Sequence, residues 1–221
     1  MTALPQTVIA CEILRLEMEA VAAPDTRFRF LDVALHRFPA KMPQRLAEEI
    51  ALVEAEGPTD IIMGYGLCGS GVAGLSAVRT LRIPRCHDCV GIILGSPERY
   101  LKVFHDHPGT FFMFAGLMAA EFDPLTALER DHIPRLGPKK AKRGMELALE
   151  KYTHMAYIDN GLSADPRHLA RFEENCRAFG KEPLMLKGDL SYVQALFHGP
   201  RRPSDFLELT GGQAIDPQSF Y

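Results

Sequence analysis

The sequence predicts an α/β protein: mostly parallel sheets flanked by helices, Rossmann-like, in two lobes. Three observations predict it. Short apolar runs rich in β-branched residues alternate with amphipathic stretches, the pattern of successive βα units. The run at residues 59–64 (TDIIMG) is continuously apolar in character, as in a strand covered on both faces. A turn-rich loop at residues 105–109 (HDHPG) divides the chain near its middle, into an N-terminal lobe of residues 1–108 and a C-terminal lobe of residues 109–221. One long doubly wound sheet is the alternative arrangement.

The elements follow in order. Residues 7–13 (TVIACEI) form a first strand that ends around Cys11, and Leu14, Met18 and Val21 then recur at helical spacing. Residues 27–34 form a second strand, and LHRFPAKMP is a loop broken by Pro39 and Pro43. Residues 44–56 are a helix closed by Gly57-Pro58, residues 59–64 the third strand, and residues 72–82 a further helix. A brief connection or strand follows at 84–87. Asp88 and Ser96 are placed to cap the two helices after it. In the second half, strands are expected at 110–115, 154–158 and 183–187, with helices at 139–152 and 165–179, the latter stopped by Gly180. A helix at 190–197 and a last strand at 205–209 complete the chain, and the tail from Gly211 is loop.

Composition excludes several classes. The 221 residues are ample for a core, and 47% hydrophobic with 24% charged content is that of a globular protein. A net charge of -3 without a basic block argues against a phosphate-tracking nucleic-acid face. No apolar run reaches about eighteen residues, so no membrane span is expected. The start (MTALPQTVIACEIL) lacks a basic region and a cleavage site, which predicts a cytoplasmic protein. Five cysteines, an odd number, point to reduced thiols rather than a disulfide framework.

The chemistry concentrates between Asp60 and Ser96. The third strand runs into Gly64, Tyr65, Gly66, Leu67, Cys68, Gly69, Ser70 and Gly71, a loop whose glycines admit positive φ and close approach of a ligand to the backbone. These residues, leucine and cysteine apart, are the candidate ligand-binding set. The loop is expected to open a helix, whose free amides would favour an anion or a Cys68 thiolate. Gly64, Gly66 and Gly69 match a dinucleotide-binding spacing, but on the third strand instead of the first, so that reading is disfavoured. Neither a phosphate-binding P-loop nor a nucleophile elbow is present.

A second cluster, Cys86-His87-Asp88-Cys89, has no partner C-x-x-C to make a zinc ribbon. Ligands can instead converge from separate strand ends, which share one edge of a parallel sheet. Cys11, Cys68 and Cys89 are the metal-ligand candidates on this argument, with His87 or water as a fourth group, and zinc or an iron–sulfur cluster as cofactor. Cys89 is preferred to Cys86, and Cys176 is read as core packing. His36 and Arg37, after the second strand, reach the same edge and are candidates to move a proton and to hold an anionic group, so His36, Arg37 and His87 form the catalytic set. Lys41 is nearby. His105 and His107 are read as surface residues, and Asp159, Asn160 and Asp189 as weaker candidates at strand ends. Residues Lys139, Lys140, Lys142 and Arg143 are read as a solvated helix start.

The set CEIL, LHRFP, YGLCGSG, HDCVGIILGS and PGTFF, in that order over residues 7–200, resembles an uncharacterised prokaryotic family, domain of unknown function 1638. The resemblance transfers no catalytic residue. It implies only a context, organisms rich in corrinoid and one-carbon chemistry.

The expectation is therefore a Cys-ligated metal enzyme, a lyase, hydrolase or transferase, acting on a small polar or sulfur-containing molecule. A non-catalytic carrier of a small anion, metal or cofactor for a partner enzyme, and a metal-free thiol enzyme using Cys68, are the alternatives. Oligomeric state is not encoded in any of these signals.

Overall fold

The computed structural model describes residues 5–163 and 165–221, and of Arg37 the backbone without the side chain. The chain divides into two compact units. One takes the chain up to Arg99 together with Asp189–Tyr221, and the other is Tyr100–Gly188. The sequence reading set its boundary at residue 108 and left the last helix and strand in the second lobe. Those two elements instead return to the first unit.

The first unit carries a five-stranded sheet. Its strands are β1 (Gln6–Cys11), β2 (Arg27–Leu31), β3 (Asp60–Gly64), β4 (Leu81–Pro84) and a later strand, Phe206–Leu209. The order is β2-β1-β3-β4 and then Phe206–Leu209, with the first four parallel and the last antiparallel to β4. β1 and β3 are buried almost throughout, as their unbroken apolar runs require. Arg82 on β4 ties neighbouring strands together: its guanidinium reaches Asp60 of β3 at 3.3 Å and Glu208 at 3.1 Å. The chain passes from β1 to β2 on one side and then to β3 on the other. The order therefore reverses between β1 and β3, and a crevice opens at their C-terminal ends.

The second unit has a three-stranded parallel sheet of β5 (Thr110–Phe114), β6 (His154–Asp159) and β7 (Glu182–Lys187), in that order. Met113, Met155, Tyr157, Phe172 and Cys176 pack into its core, so Cys176 is a packing residue. The helix Pro166–Phe179 ends at Gly180, whose φ of 61° is the left-handed C-cap expected there.

Three local expectations are corrected. β2 stops at Leu31 because the Asp32 carboxylate accepts the Ala34 amide at 2.6 Å and starts a 3-10 turn over Val33–Arg37. The loop LHRFPAKMP accordingly contains this turn and a second one, Pro39–Lys41. Residues 72–80 are turns and loop instead of a helix, and residues 81–82, the end of that expected helix, open β4. The cause lies far along the chain. The tail takes the backbone groups a helix would use, through Gly74 N–H to Ile215 O (2.9 Å), Ile215 N–H to Leu75 O (2.8 Å) and Gly212 N–H to Ala77 O (2.9 Å). The helix expected to follow the glycine loop is therefore absent, and residues 65–80 are turns and loop.

Asp123 holds together the polar core of the second unit. Its carboxylate accepts the Leu125 and Thr126 amides at 3.1 and 3.0 Å and the amide of the fully buried Asn175 at 2.7 Å. Burial pushes its pKa up, but the bonds from Thr126 and Asn175 and the Arg171 charge outweigh that, and the net shift is downward. A carboxylate lowered on folding stabilises the fold above its unfolded pKa of about 3.9, and that contribution is lost as pH falls through the lower folded value. Asp123→Ala is expected to cost about 2–4 kcal/mol at pH 7, with the deficit shrinking in acid below about pH 4. Urea titrations at the two pH values measure it, and a deficit that stays constant with pH would contradict the assignment.

Candidate functional site

The crevice between β1 and β3 collects side chains from four separate segments. Ala10 of β1 pairs with Gly64 of β3, so Cys11 and Tyr65 are the next residues at the same level. A side chain on Gly64 would collide with Ala10, which is why the two strand ends can close on each other there. His36 arrives on the 3-10 turn that follows β2. Cys68 lies in the loop after β3, and Cys89 opens the short helix α1 (Cys89–Leu94), whose cap is the Asp88 carboxylate accepting the Val90 amide at 2.9 Å.

The loops after β3 and β4 are joined backbone to backbone. Leu67 N–H donates to Cys86 O and Cys68 N–H to His87 O, both at 2.8 Å, extending the parallel pairing of β3 with β4 beyond the strands proper. Gly66 makes this possible, because a Cβ there would lie 2.6 Å from the Cys86 carbonyl oxygen and 2.9 Å from the Asp88 nitrogen. Three consecutive residues then turn left-handed: Cys68 (φ 46°), Gly69 (φ 63°) and Ser70 (φ 71°). For Cys68 and Ser70 that backbone is strained by about 1–3 kcal/mol each, which the surrounding bonds must hold in place.

The result is a buried cluster of three thiols, one imidazole and one phenol. Cys11 Sγ lies 3.6 Å from His36 Nε2. The Cys89 thiol is hydrogen-bonded to that of Cys68 and is also partnered by His36. These neighbours set the ionisation. Burial pushes the Cys11 thiol up, and the charge of Cys89 adds to it. The hydrogen bond with Cys68, then burial, pushes Cys89 up. The bond to Cys89 raises the His36 imidazole despite its own desolvation. Tyr65 is raised by burial and by the nearby Cys11, Cys68 and Cys89. Among the described residues, no three His, Cys, Asp or Glu side chains surround one point as metal ligands; the cluster is joined pairwise, thiol to thiol and thiol to imidazole.

The remaining candidates separate into several groups. His87 turns its ring to Tyr221, with centroids 5.4 Å apart, and the imidazole coupled to the thiols is His36. The Arg37 side chain lies outside the described residues. Cys86 is buried, and that burial pushes its thiol pKa well up. Gly69 and Ser70 are exposed, whereas Gly71 sits against Met42, where a Cβ would collide with the sulfur. Asp159 and Asp189 accept amides of Gly161 and Ser191 two residues on, and Asn160 accepts that of Leu162, all as turn or cap residues. His105 is exposed, His107 packs on His154 at 5.1 Å, and Lys41 lies 5.3 Å over the Phe38 ring. The sequence reading put His36 at this sheet edge as a proton carrier and named His87 or water as the fourth group at the thiols; the structure sets the His36 imidazole 3.6 Å from the Cys11 sulfur.

Fold and site together define a mostly parallel α/β protein with a cysteine-rich cluster at a sheet switch point. Among the described residues, no helix is long and apolar enough to cross a membrane. The chain belongs to the family described as "Protein of unknown function (DUF1638)", whose model matches residues 30–197. His36, Tyr65, Cys68 and Cys89 fall inside that span, and Cys11 precedes it. No curated protein and no solved structure matches the chain.

The backbone junction is testable at its two glycines. Gly66→Ala is expected to destabilise the protein by about 1–3 kcal/mol, since the new methyl meets backbone that cannot yield. Gly69→Ala has open space around it and should cost only the left-handed backbone, about 1 kcal/mol. Urea midpoints measure both, and a Gly66→Ala protein as stable as wild type would refute the close approach.

Proposed function

We propose that the protein is a metal-binding enzyme in which Cys11, Cys68 and Cys89 hold zinc or an iron–sulfur cluster, acting on a small polar or sulfur-containing substrate. The observation that carries this reading is the mutual coupling of three buried thiols from segments far apart in the chain, with an imidazole among them. Hydrophobic packing alone gives no reason to gather them, because an isolated buried cysteine behaves as a small apolar residue. The donor chemistry fits soft and borderline metals and excludes the oxygen-rich shells of calcium or magnesium. Three protein thiolates would leave one position for substrate, the arrangement of catalytic rather than structural sites. When bound, such a metal supplies Lewis acidity toward a soft donor atom.

The chain's own residues divide the other tasks. His36 stands next to Cys89 and Cys11, where it can accept the proton of a thiol, whether from the cluster or from substrate. The joined loops at 66–68 and 86–88 keep the thiols fixed and dry. Cys68, at 9% exposure and flanked by the exposed Gly69 and Ser70, forms the side from which a small molecule enters. Arg37 would orient an anionic group on that substrate.

A second reading is a metal-free thiol enzyme with Cys68 as nucleophile. The strained left-handed backbone of Cys68 and its position at the cluster rim favour it.

Elemental analysis of protein purified without oxygen decides between them. About one zinc per chain, or iron with acid-labile sulfide, is expected in wild type. It should be lost in Cys11→Ala, Cys68→Ala and Cys89→Ala, and kept in Cys86→Ala, Cys176→Ala and His36→Gln. A metal-free wild type with one thiol that alkylates unusually fast would support the nucleophile reading instead. Retained metal with tight ligand binding and no turnover would identify a carrier.

A further inference from the structure

The two edges of the second sheet are built differently. On one edge β5 is covered, with Thr110, Met113 and Phe114 buried. On the other edge β7 is not. Glu182, Pro183, Met185 and Lys187 are exposed and Leu184 and Leu186 half-buried, although strands of a parallel sheet are ordinarily covered on both faces. Met185 is 55% exposed. It borders a groove of about 530 Å³ whose lining also takes in Leu169, Phe172, Cys176 and Pro183.

Hydrogen bonds fix which way the β7 backbone faces. Glu182 N–H donates to Thr153 O at 3.0 Å, and Gly188 N–H to Asp159 O at 2.7 Å. Even-numbered residues therefore bond toward β6, and by the alternation of a strand the N–H and C=O of Met185 turn to the open side. Pro183 shares that side but has no N–H, so a strand added there is gripped at Met185.

We propose that β7 pairs antiparallel with β7 of a second copy of this chain, about a twofold axis through Met185. Two features of the strand select this occupant. Its apolar centre reads Leu-Met-Leu in both directions, so a twofold at Met185 sets Met185 against its own copy and Leu184 against the copy of Leu186. Its ends carry opposite charges, Glu182 and Lys187. Antiparallel pairing brings the acidic end of one strand beside the basic end of the other, whereas parallel pairing would set like against like. Each Met185 N–H donates to the Met185 carbonyl of the other copy, and the two side chains lie together on the face that borders the groove. Three strands from each copy then form one continuous sheet.

Sedimentation equilibrium of the full-length protein tests the pairing, with Met185→Lys and Met185→Glu as variants. Position 185 is exposed, so both variants should keep the circular dichroism and urea midpoint of wild type. Wild type is expected to be a dimer at micromolar concentration. Each variant alone sets like charges opposite each other and should raise the dimer dissociation constant about ten-fold or more. Mixing the two variants in equal amounts sets Lys against Glu and should restore the dimer. Only a strand placed against its own copy at residue 185 gives that pattern. Slowed exchange of the Met185 amide on dimerisation of wild type would support the pairing without any substitution, and unchanged exchange would refute it. A monomeric wild type overturns the proposal and leaves the edge to a strand of a different protein. A dimer that both variants retain at full strength overturns it too, because the interface lies elsewhere. Dimers lost in each variant and not regained in the mixture overturn the twofold at Met185.

Discussion

The site depends on one close approach of backbone to backbone. The parallel pairing of β3 with β4 does not end with the strands; it continues through Leu67 and Cys68 to Cys86 and His87. Two well-formed hydrogen bonds fix the spacing, and the absence of a side chain at Gly66 allows it. Every other feature of the cluster follows from that junction. The Cys68 and Cys89 thiols meet because Cys68 itself is bonded, backbone to backbone, to His87, two residues before Cys89. The left-handed turn at Cys68–Ser70 is the backbone's way of leaving the junction without filling the crevice.

Burial determines what the thiols can do. Removing a thiol from water disfavours its anion, and here the effect is compounded because several thiols face one another. A cluster of this kind is content as neutral S–H groups joined in pairs, and it resists ionising one thiol at a time. A divalent ion reverses the balance, because its charge offsets both the desolvation and the mutual repulsion of coordinated thiolates. His36 works in the same direction on a smaller scale, since its raised pKa lets it take a proton that Cys89 gives up.

The layered fold was legible because it follows from topology. Continuous apolar runs such as DIIMG mark buried parallel strands, and strand ends in a parallel sheet share an edge, so Cys11, Cys68 and Cys89 could be brought together on paper. What was not legible has a common cause in long-range competition. Residues 72–80 have local helical character, but their backbone is claimed by Ile215 and Gly212, more than a hundred residues later. The same holds for the last strand, which pairs antiparallel with β4 and so joins the first unit across the whole of the second. The sequence reading gave His36 the role of proton carrier and His87 that of a fourth group at the thiols. Only the 3-10 turn set by Asp32, a capping event four residues earlier, decides that His36 turns toward the thiols.

The unsatisfied phenol of Tyr65 separates the bland account of the cluster from the functional one. Buried cysteines, glycines with clashing neighbours and a strained turn can all be explained as the cost of packing two loops tightly. A tyrosine at 0% exposure whose hydroxyl bonds to nothing cannot, because its ring alone would satisfy the packing. Such groups are rare in native proteins, and each calls for an explanation. Burial and the charges of Cys11, Cys68 and Cys89 bear on this phenol, and among the described residues no other buried tyrosine oxygen lacks a hydrogen-bond partner.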